Sequence, residues 1–265
     1  MEQQATKIKA VALPAEHGGW SLIMEPIVLG LLVAPSTIGL FIAAAALACF
    51  LARHPLKVGL GDRRKGRRLQ RTSLADRFAL LYVIFAIVFF AIAIIGAERE
   101  FLLPFLVAGP IVLVQFVYDA FGQSRKLIPE IAGAIAVGSI ATAIALAGGW
   151  SRPTAYALWI IVACRNVPTI LYLRVLLHRR REKQRVTVDG AVIAVQLLAL
   201  LAVVILLFFR VAPALAIVVF AILFVRAVVG LLNQTVPAPK KLGISEIAFG
   251  ALAVLAVGAG YRLGW

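Results

Sequence analysis

Apolar positions in this chain run in long unbroken stretches rather than in alternation. A membrane-spanning helix needs about 20 such residues. Nine stretches approach that length, at residues 20–34, 38–52, 78–96, 101–118, 129–148, 153–173, 190–209, 213–232 and 245–263. The first two are short, which calls for tilt or for extension by their flanks. Strand-like alternation is absent, which argues against a β-barrel. The polar connections are brief. The pattern therefore predicts an all-α integral membrane protein of about nine transmembrane helices, one polytopic domain over 1–265.

Composition agrees with the pattern. Hydrophobic residues make up 62% of the chain and mean hydropathy is +0.98, well beyond the needs of a soluble domain of this length. The opening "MEQQATKIKAVALPAEHGG" holds only a short apolar run, too short for a signal peptide, so the first span is expected to be retained. Cys49 and Cys164 both fall inside apolar spans. They read as buried free thiols, without metal-ligand spacing.

Charge adds an orientation. The formal net charge is +15. With nine alternating spans, Arg99, Arg152, Arg210 and Arg262 fall on one side, and Arg165 and Arg226 lie within spans. Every other Lys and Arg falls on the opposite side. Excess bases in short loops mark the cytoplasmic face. The expectation is a multi-pass protein of the bacterial cytoplasmic membrane, N-terminus cytoplasmic and C-terminus outside. Trp150 and Trp265 would then lie at the outer interface and Trp20 at the inner one. The basic loops suit anionic phospholipid headgroups, which makes nucleic acid a poor partner.

The chain also looks internally duplicated. "ACFLARHPLK" closes the second span and "VACRNVPTI" lies in the sixth, each with Ala-Cys, then Arg, then Pro. "PEIAGAIAVG" opens the fifth span and "SEIAFGALAV" the ninth. This divides the domain into halves of roughly 14–118 and 129–232, with an extra helix at 245–263. Parallel repeats of this kind often bind substrate between their halves. Glu130 and Glu246 would each sit in the first turn of a helix, where an acid complements the dipole, with Ser245 as a cap. Binding and dipole compensation are both open roles for them.

Charges inside spans are costly and are functional candidates by default. Glu25, Arg165 and Arg226 are such charges. Pairing of Arg165 with Glu25 or Glu130 is the structural alternative to ligand binding. His17, in "EHGGW", precedes the first span and suggests a bent interfacial entry, or a plain turn.

The segments "LPAEHGGWSLIMEPIVLGLLVAPS", "ARHPLKVGLGDRRKGRR" and "EIAFGALAVLAVGAGYRLG" resemble the YwiC-like family of bacterial membrane proteins. Nine helices with polar stretches after spans two and six resemble, more distantly, the UbiA-type intramembrane prenyltransferases. That resemblance implies a bundle of two four-helix halves plus a ninth helix. It also implies isoprenyl diphosphate bound through magnesium by acid motifs on helices two and six. In the register of the first motif stand His54, Val58 and Asp62. In "FVYDAFGQSRKLIPEIAGAIAVG", Tyr118 and Lys126 occupy places that match the family's Tyr-containing loop. The second motif would lie in "CRNVPTILYLRVLLHRRREK", which holds Arg165, Asn166 and Arg174 and no aspartate.

Magnesium wants oxygen ligands, commonly carboxylates together with substrate phosphates. One Asp among many bases disfavours it and favours a direct anion site. Asp62, His54 and Tyr118 are thus the candidates for chemistry. Arg53, Lys57, Arg165, Asn166, Arg174, Lys126, His17, Glu25, Glu130 and Glu246 are the candidates for binding, with Arg53, His54, Lys57, Asp62 and Arg165 expected around one cytoplasm-facing pocket. Three functions follow: an altered prenyltransferase-like site for an anionic isoprenoid or lipid, a transporter of an anionic or lipid-like solute, or a membrane scaffold without a small-molecule site.

Overall fold

The computed structural model describes residues 8, 10–14, 17–64, 66, 70–123, 125–182, 189–233 and 235–264. Among these are nine apolar helices: α1 (His17–Val33), α2 (Thr37–Arg64), α3 (Gln70–Gly96), α4 (Leu103–Ala120), α5 (Leu127–Ala147), α6 (Arg152–Glu182), α7 (Gly190–Phe208), α8 (Ala214–Leu232) and α9 (Pro239–Leu263). A 3₁₀ turn, Arg99–Leu102, leads into α4. Eight of the helices are long and apolar enough to cross a bilayer, and α1 is shorter. The protein is a multi-pass membrane protein.

Helix boundaries depart from the hydropathy pattern at polar ends. α2 does not stop near residue 52 but continues to Arg64, about 18 Å further at 1.5 Å per residue. α6 likewise continues to Glu182. These two basic stretches are therefore helix, not loop. Arg, Lys and Leu are good helix formers, and bases are favourable in a last turn, where carbonyls are unpaired. α9 starts at Pro239, with Pro in the first turn, rather than at Ser245. Ser245 is consequently no N-cap; its Oγ donates to the Leu242 carbonyl at 2.8 Å. Glu246 lies well inside α9, whereas Glu130 does occupy the first turn of α5.

α5 is the most buried span and is broken at Val137 into halves Leu127–Ala136 and Gly138–Ala147. The indole of Trp159 on α6 donates to the Ile135 carbonyl at 2.6 Å, and Ser139 Oγ donates to Ala136 O at 2.7 Å. Side chains thus take up carbonyls at the break, which is how irregular backbone survives at membrane depth. Gly138 leaves room for the indole: a Cβ there would overlap Trp159 Cδ1 and lie 3.1 Å from Nε1. Gly138→Ala should therefore displace Trp159 and cost about 1–3 kcal/mol, the usual effect of overpacking. A lowered thermal midpoint in detergent checks this.

α1 is sandwiched between α5 and α9, α2 pairs with α3, and α6 packs on α5 and α7. Small residues allow the close approach; a Cβ on Gly30 would lie 3.2 Å from Ala141 Cα. The core centres on Leu29, Ile144, Leu158, Val219 and Val257. α3, α4 and α7 turn Leu80, Ile87, Leu106 and Leu198 outward, as a lipid face requires. Cys49 is exposed and Cys164 half-buried, both free; Cys49 is thus outward-facing rather than buried. Trp150 packs edge-on against Tyr261, with ring centroids 5.3 Å apart. Trp265 lies outside the described residues.

Candidate functional site

The intramembrane charges meet in one cluster. Glu25 of α1 lies 3.1 Å from Arg165 Nε of α6, and Arg165 Nη2 lies 3.8 Å from Glu246 Oε2 of α9. Arg165 Nη2 also donates to the Glu246 backbone carbonyl at 3.0 Å. Arg226 of α8 donates from Nη1 to Glu246 Oε1 at 2.5 Å. Ser21 Oγ, one turn before Glu25, donates to its Oε1 at 2.7 Å. The Arg226 guanidinium lies over the rings of Tyr172 at 4.5 Å and Phe249 at 5.0 Å from the centroids. Two guanidinium groups against two carboxylates make the cluster neutral, and Glu25, Arg165 and Glu246 are all buried. Such pairing is the usual condition for ions at this depth. Sequence reasoning passed over Tyr172, although it stands seven residues after Arg165 and so two turns along the same helix face.

At one end of the bundle the bases gather around the polar extensions of α2 and α6. Asp119, at the end of α4, accepts from Arg53 Nε at 2.7 Å and lies 3.0 Å from Lys57 Nζ. Sequence reasoning passed over Asp119 in favour of its neighbour Tyr118, which is half-buried. Arg174 bridges Glu130 Oε2 at 2.9 Å and the Arg125 carbonyl at 2.5 Å. Arg64 stacks over Phe121 at 5.6 Å, and Lys126 is exposed. The turn between α4 and α5 is thus held between α2 and α6. The side chains of Arg53, Lys57 and Arg174 remain 31%, 35% and 37% exposed, so their charge reaches the surface.

Asp62 is buried and belongs to a separate contact. It accepts from Arg71 Nε at 2.9 Å, Arg71 Nη2 at 2.5 Å and Thr72 Oγ1 at 2.8 Å. It fastens the end of α2 to the start of α3. His54 Nε2 lies 3.0 Å from the Ala10 carbonyl and so helps hold the segment before α1. Tyr82 OH, 3.3 Å from Ala12 O, and Trp20 Nε1, 3.2 Å from Pro14 O, assist it. Asn166 is buried beside Arg165 in sequence. The side chain of His17 and the whole of Glu16 lie outside the described residues.

The five residues expected around one pocket are therefore divided four ways, with His54 at the Ala10 carbonyl. Arg165 finds its acids on α1 and α9, Arg53 and Lys57 find theirs on α4, and Asp62 finds its base on α3. Each charge takes the nearest opposite charge, because an uncompensated ion in a low-dielectric setting is costly. Of the two pairings open for Arg165, the structure has Glu25; Glu130 goes to Arg174. Among the described residues no three His, Cys, Asp or Glu side chains stand close enough to share a metal ion.

Comparison with known proteins adds fold and family. No curated protein sequence matches the chain. A solved structure concerned with digeranylgeranylglyceryl phosphate synthase in membranes superposes over 98% of this chain and 99% of its own, with a TM-score of 0.64 at 11% identity. At that identity the likeness establishes the fold alone, a UbiA-like helical bundle. The family model described as YwiC-like protein matches residues 13–145, half of the chain, spanning α1 to α5. The chain belongs to the YwiC-like protein family.

Proposed function

We propose that this protein binds an anionic isoprenoid or lipid-like molecule at the basic end of its bundle, without a metal ion. The observation that carries this is how the acids are used. Asp62, the one carboxylate in the register of the first acid motif, is held by Arg71 and Thr72. Asp119 is held by Arg53 and Lys57. The corresponding stretch of α6 offers Arg165, Asn166 and Arg174 and no acid. This donor set does not fit magnesium, which takes carboxylate and phosphate oxygens. It does fit a phosphate or carboxylate directly, through guanidinium and ammonium groups. The structural neighbour is named for a phosphate-bearing isoprenoid glycerol lipid, and that class of molecule suits apolar helices with a basic rim.

The excess of bases there supports a cytoplasmic, bacterial-membrane location for the basic end. Anionic headgroups of the surrounding leaflet are attracted to the same surface. A second reading, transport of such a solute, is favoured by the charged cluster at depth, by the break at Val137 and by Pro26 and Pro168, which lie inside α1 and α6 next to Glu25 and Arg165.

Binding of farnesyl diphosphate to the protein in nanodiscs tests the proposal. Lys57→Gln combined with Lys126→Gln should weaken binding roughly ten-fold, about 1.4 kcal/mol, with little change in thermal midpoint, because Arg53 still holds Asp119. Unchanged affinity would contradict it.

A further inference from the structure

The charged cluster is short of acceptors. Arg165 Nε, Arg226 Nε and Arg226 Nη2 are buried donors without a hydrogen-bond partner, against a single unpartnered acceptor, Glu246 Oε2. Arg165 Nε and Glu25 Oε2 stand 3.1 Å apart, yet Nε makes no hydrogen bond. Inside a membrane such groups are not left to bulk water, and each orphan is costly.

Beside this pair lies a cavity of about 20 Å³. Glu25 and Arg165 are its polar lining. The rest of the wall is apolar and comes from four helices, with Leu29, Val162, Phe220 and Val254 among its members. All four of these are buried. A cavity needs about 10–15 Å³ to admit one water, and that water needs at least two polar partners. The volume meets the first condition, and Glu25 and Arg165 are the residues of the wall that bring polar groups for the second.

We propose that this cavity is a binding site for one neutral, water-sized molecule that accepts from Arg165 Nε and donates to the Glu25 carboxylate. The charge balance selects neutrality. Two guanidinium groups already face two carboxylates, so an added anion would leave the site negative in a low-dielectric setting. The volume selects size: one oxygen with its hydrogens fits, and a lipid chain does not. The same chemistry could come from bulk water or from the hydroxyl of a lipid, and we assign it to water. The site lies at the junction of α1, α6, α8 and α9, whose packing it completes. It is separate from the basic end and does not depend on the function proposed for that end.

Radiolytic footprinting of the whole protein in nanodiscs tests this, since a short X-ray pulse activates bound water where it sits. Leu29 and Phe220 should be oxidised although both are buried. At short times after dilution into H₂¹⁸O they should incorporate ¹⁶O while exposed side chains incorporate ¹⁸O. Ala253→Val fills the cavity wall and keeps both charges; it should lower labelling of Leu29 and Phe220 several-fold. Three results would overturn the proposal. One is no oxidation of Leu29 and Phe220 in the wild type. Another is labelling that Ala253→Val leaves unchanged. The third is an unlabelled cavity in protein that retains a lipid alcohol by mass spectrometry.

Discussion

Arg165→Ala should strip the protein of much of its stability rather than only of a ligand. The substitution leaves Glu25 with its hydrogen bond from Ser21 but without the Arg165 charge, and turns a neutral cluster into a negative one. Removing one partner of a buried ion pair typically costs about 3–5 kcal/mol, a large share of the roughly 5–15 kcal/mol that holds a folded domain together. Arg165→Lys should recover little, because a compact ammonium cannot reach Glu25 and the Glu246 carbonyl with the guanidinium's fork. Removing the pair together, Glu25→Gln with Arg165→Met, should be milder than Arg165→Ala alone, since Arg226 and Glu246 remain as a neutral couple. Yield of monodisperse protein and its thermal midpoint in detergent are the readouts. An Arg165→Ala protein as stable as the wild type would mean that the cluster is open to bulk water.

Gly250→Ala should act on the same cluster from the opposite side. Gly250 is the residue of α9 against which the Glu25 and Arg165 side chains rest. A Cβ there would overlap Glu25 Oε1 and lie 2.8 Å from its Cδ and 2.9 Å from Arg165 Nη2. None of these atoms is the free end of a mobile side chain, since each is fixed by a partner. Either the carboxylate leaves Arg165 or α9 moves off α1. The expected loss is about 2–4 kcal/mol, above ordinary overpacking because it also separates a buried pair. Glu25→Gln and Gly250→Ala should combine to less than the sum of their separate effects, the behaviour of residues in one network. Full additivity in a double-mutant cycle of thermal midpoints would separate Gly250 from the cluster.

The spans were legible because a bilayer imposes a length, and runs such as 78–96 and 190–209 have it. The extensions of α2 and α6 were not, since hydropathy records where apolar residues stop and not where helix stops. Arg63 and Arg64 end a stretch that stays helical through Pro55, Gly59 and Gly61. Ser245 looked like a cap because an acid follows it, but Pro239 makes the better first residue. Glu25, Arg165 and Arg226 announced themselves as charges too costly to leave unpaired. Their partner Glu246 reads equally as a binding group or a dipole-compensating acid, because hydropathy starts its helix near Ser245 and not at Pro239. Which charge meets which depends on the relative depth of α1, α6, α8 and α9, and no periodicity encodes that. Asp62 stood out as the surviving acid of its register. Its partner Arg71 lay in a stretch read as loop, so nothing in the sequence linked them.

On the proposed function, the basic end holds its anion without a metal ion. The most direct test is the thermal midpoint of the wild-type and Asp62→Asn proteins with farnesyl diphosphate, in the presence of magnesium and again in excess chelator. Stabilisation of the wild type that is the same with magnesium and with chelator, and that persists in Asp62→Asn, is the predicted result. Stabilisation that disappears on chelation and in Asp62→Asn would contradict it and restore a magnesium-dependent diphosphate site.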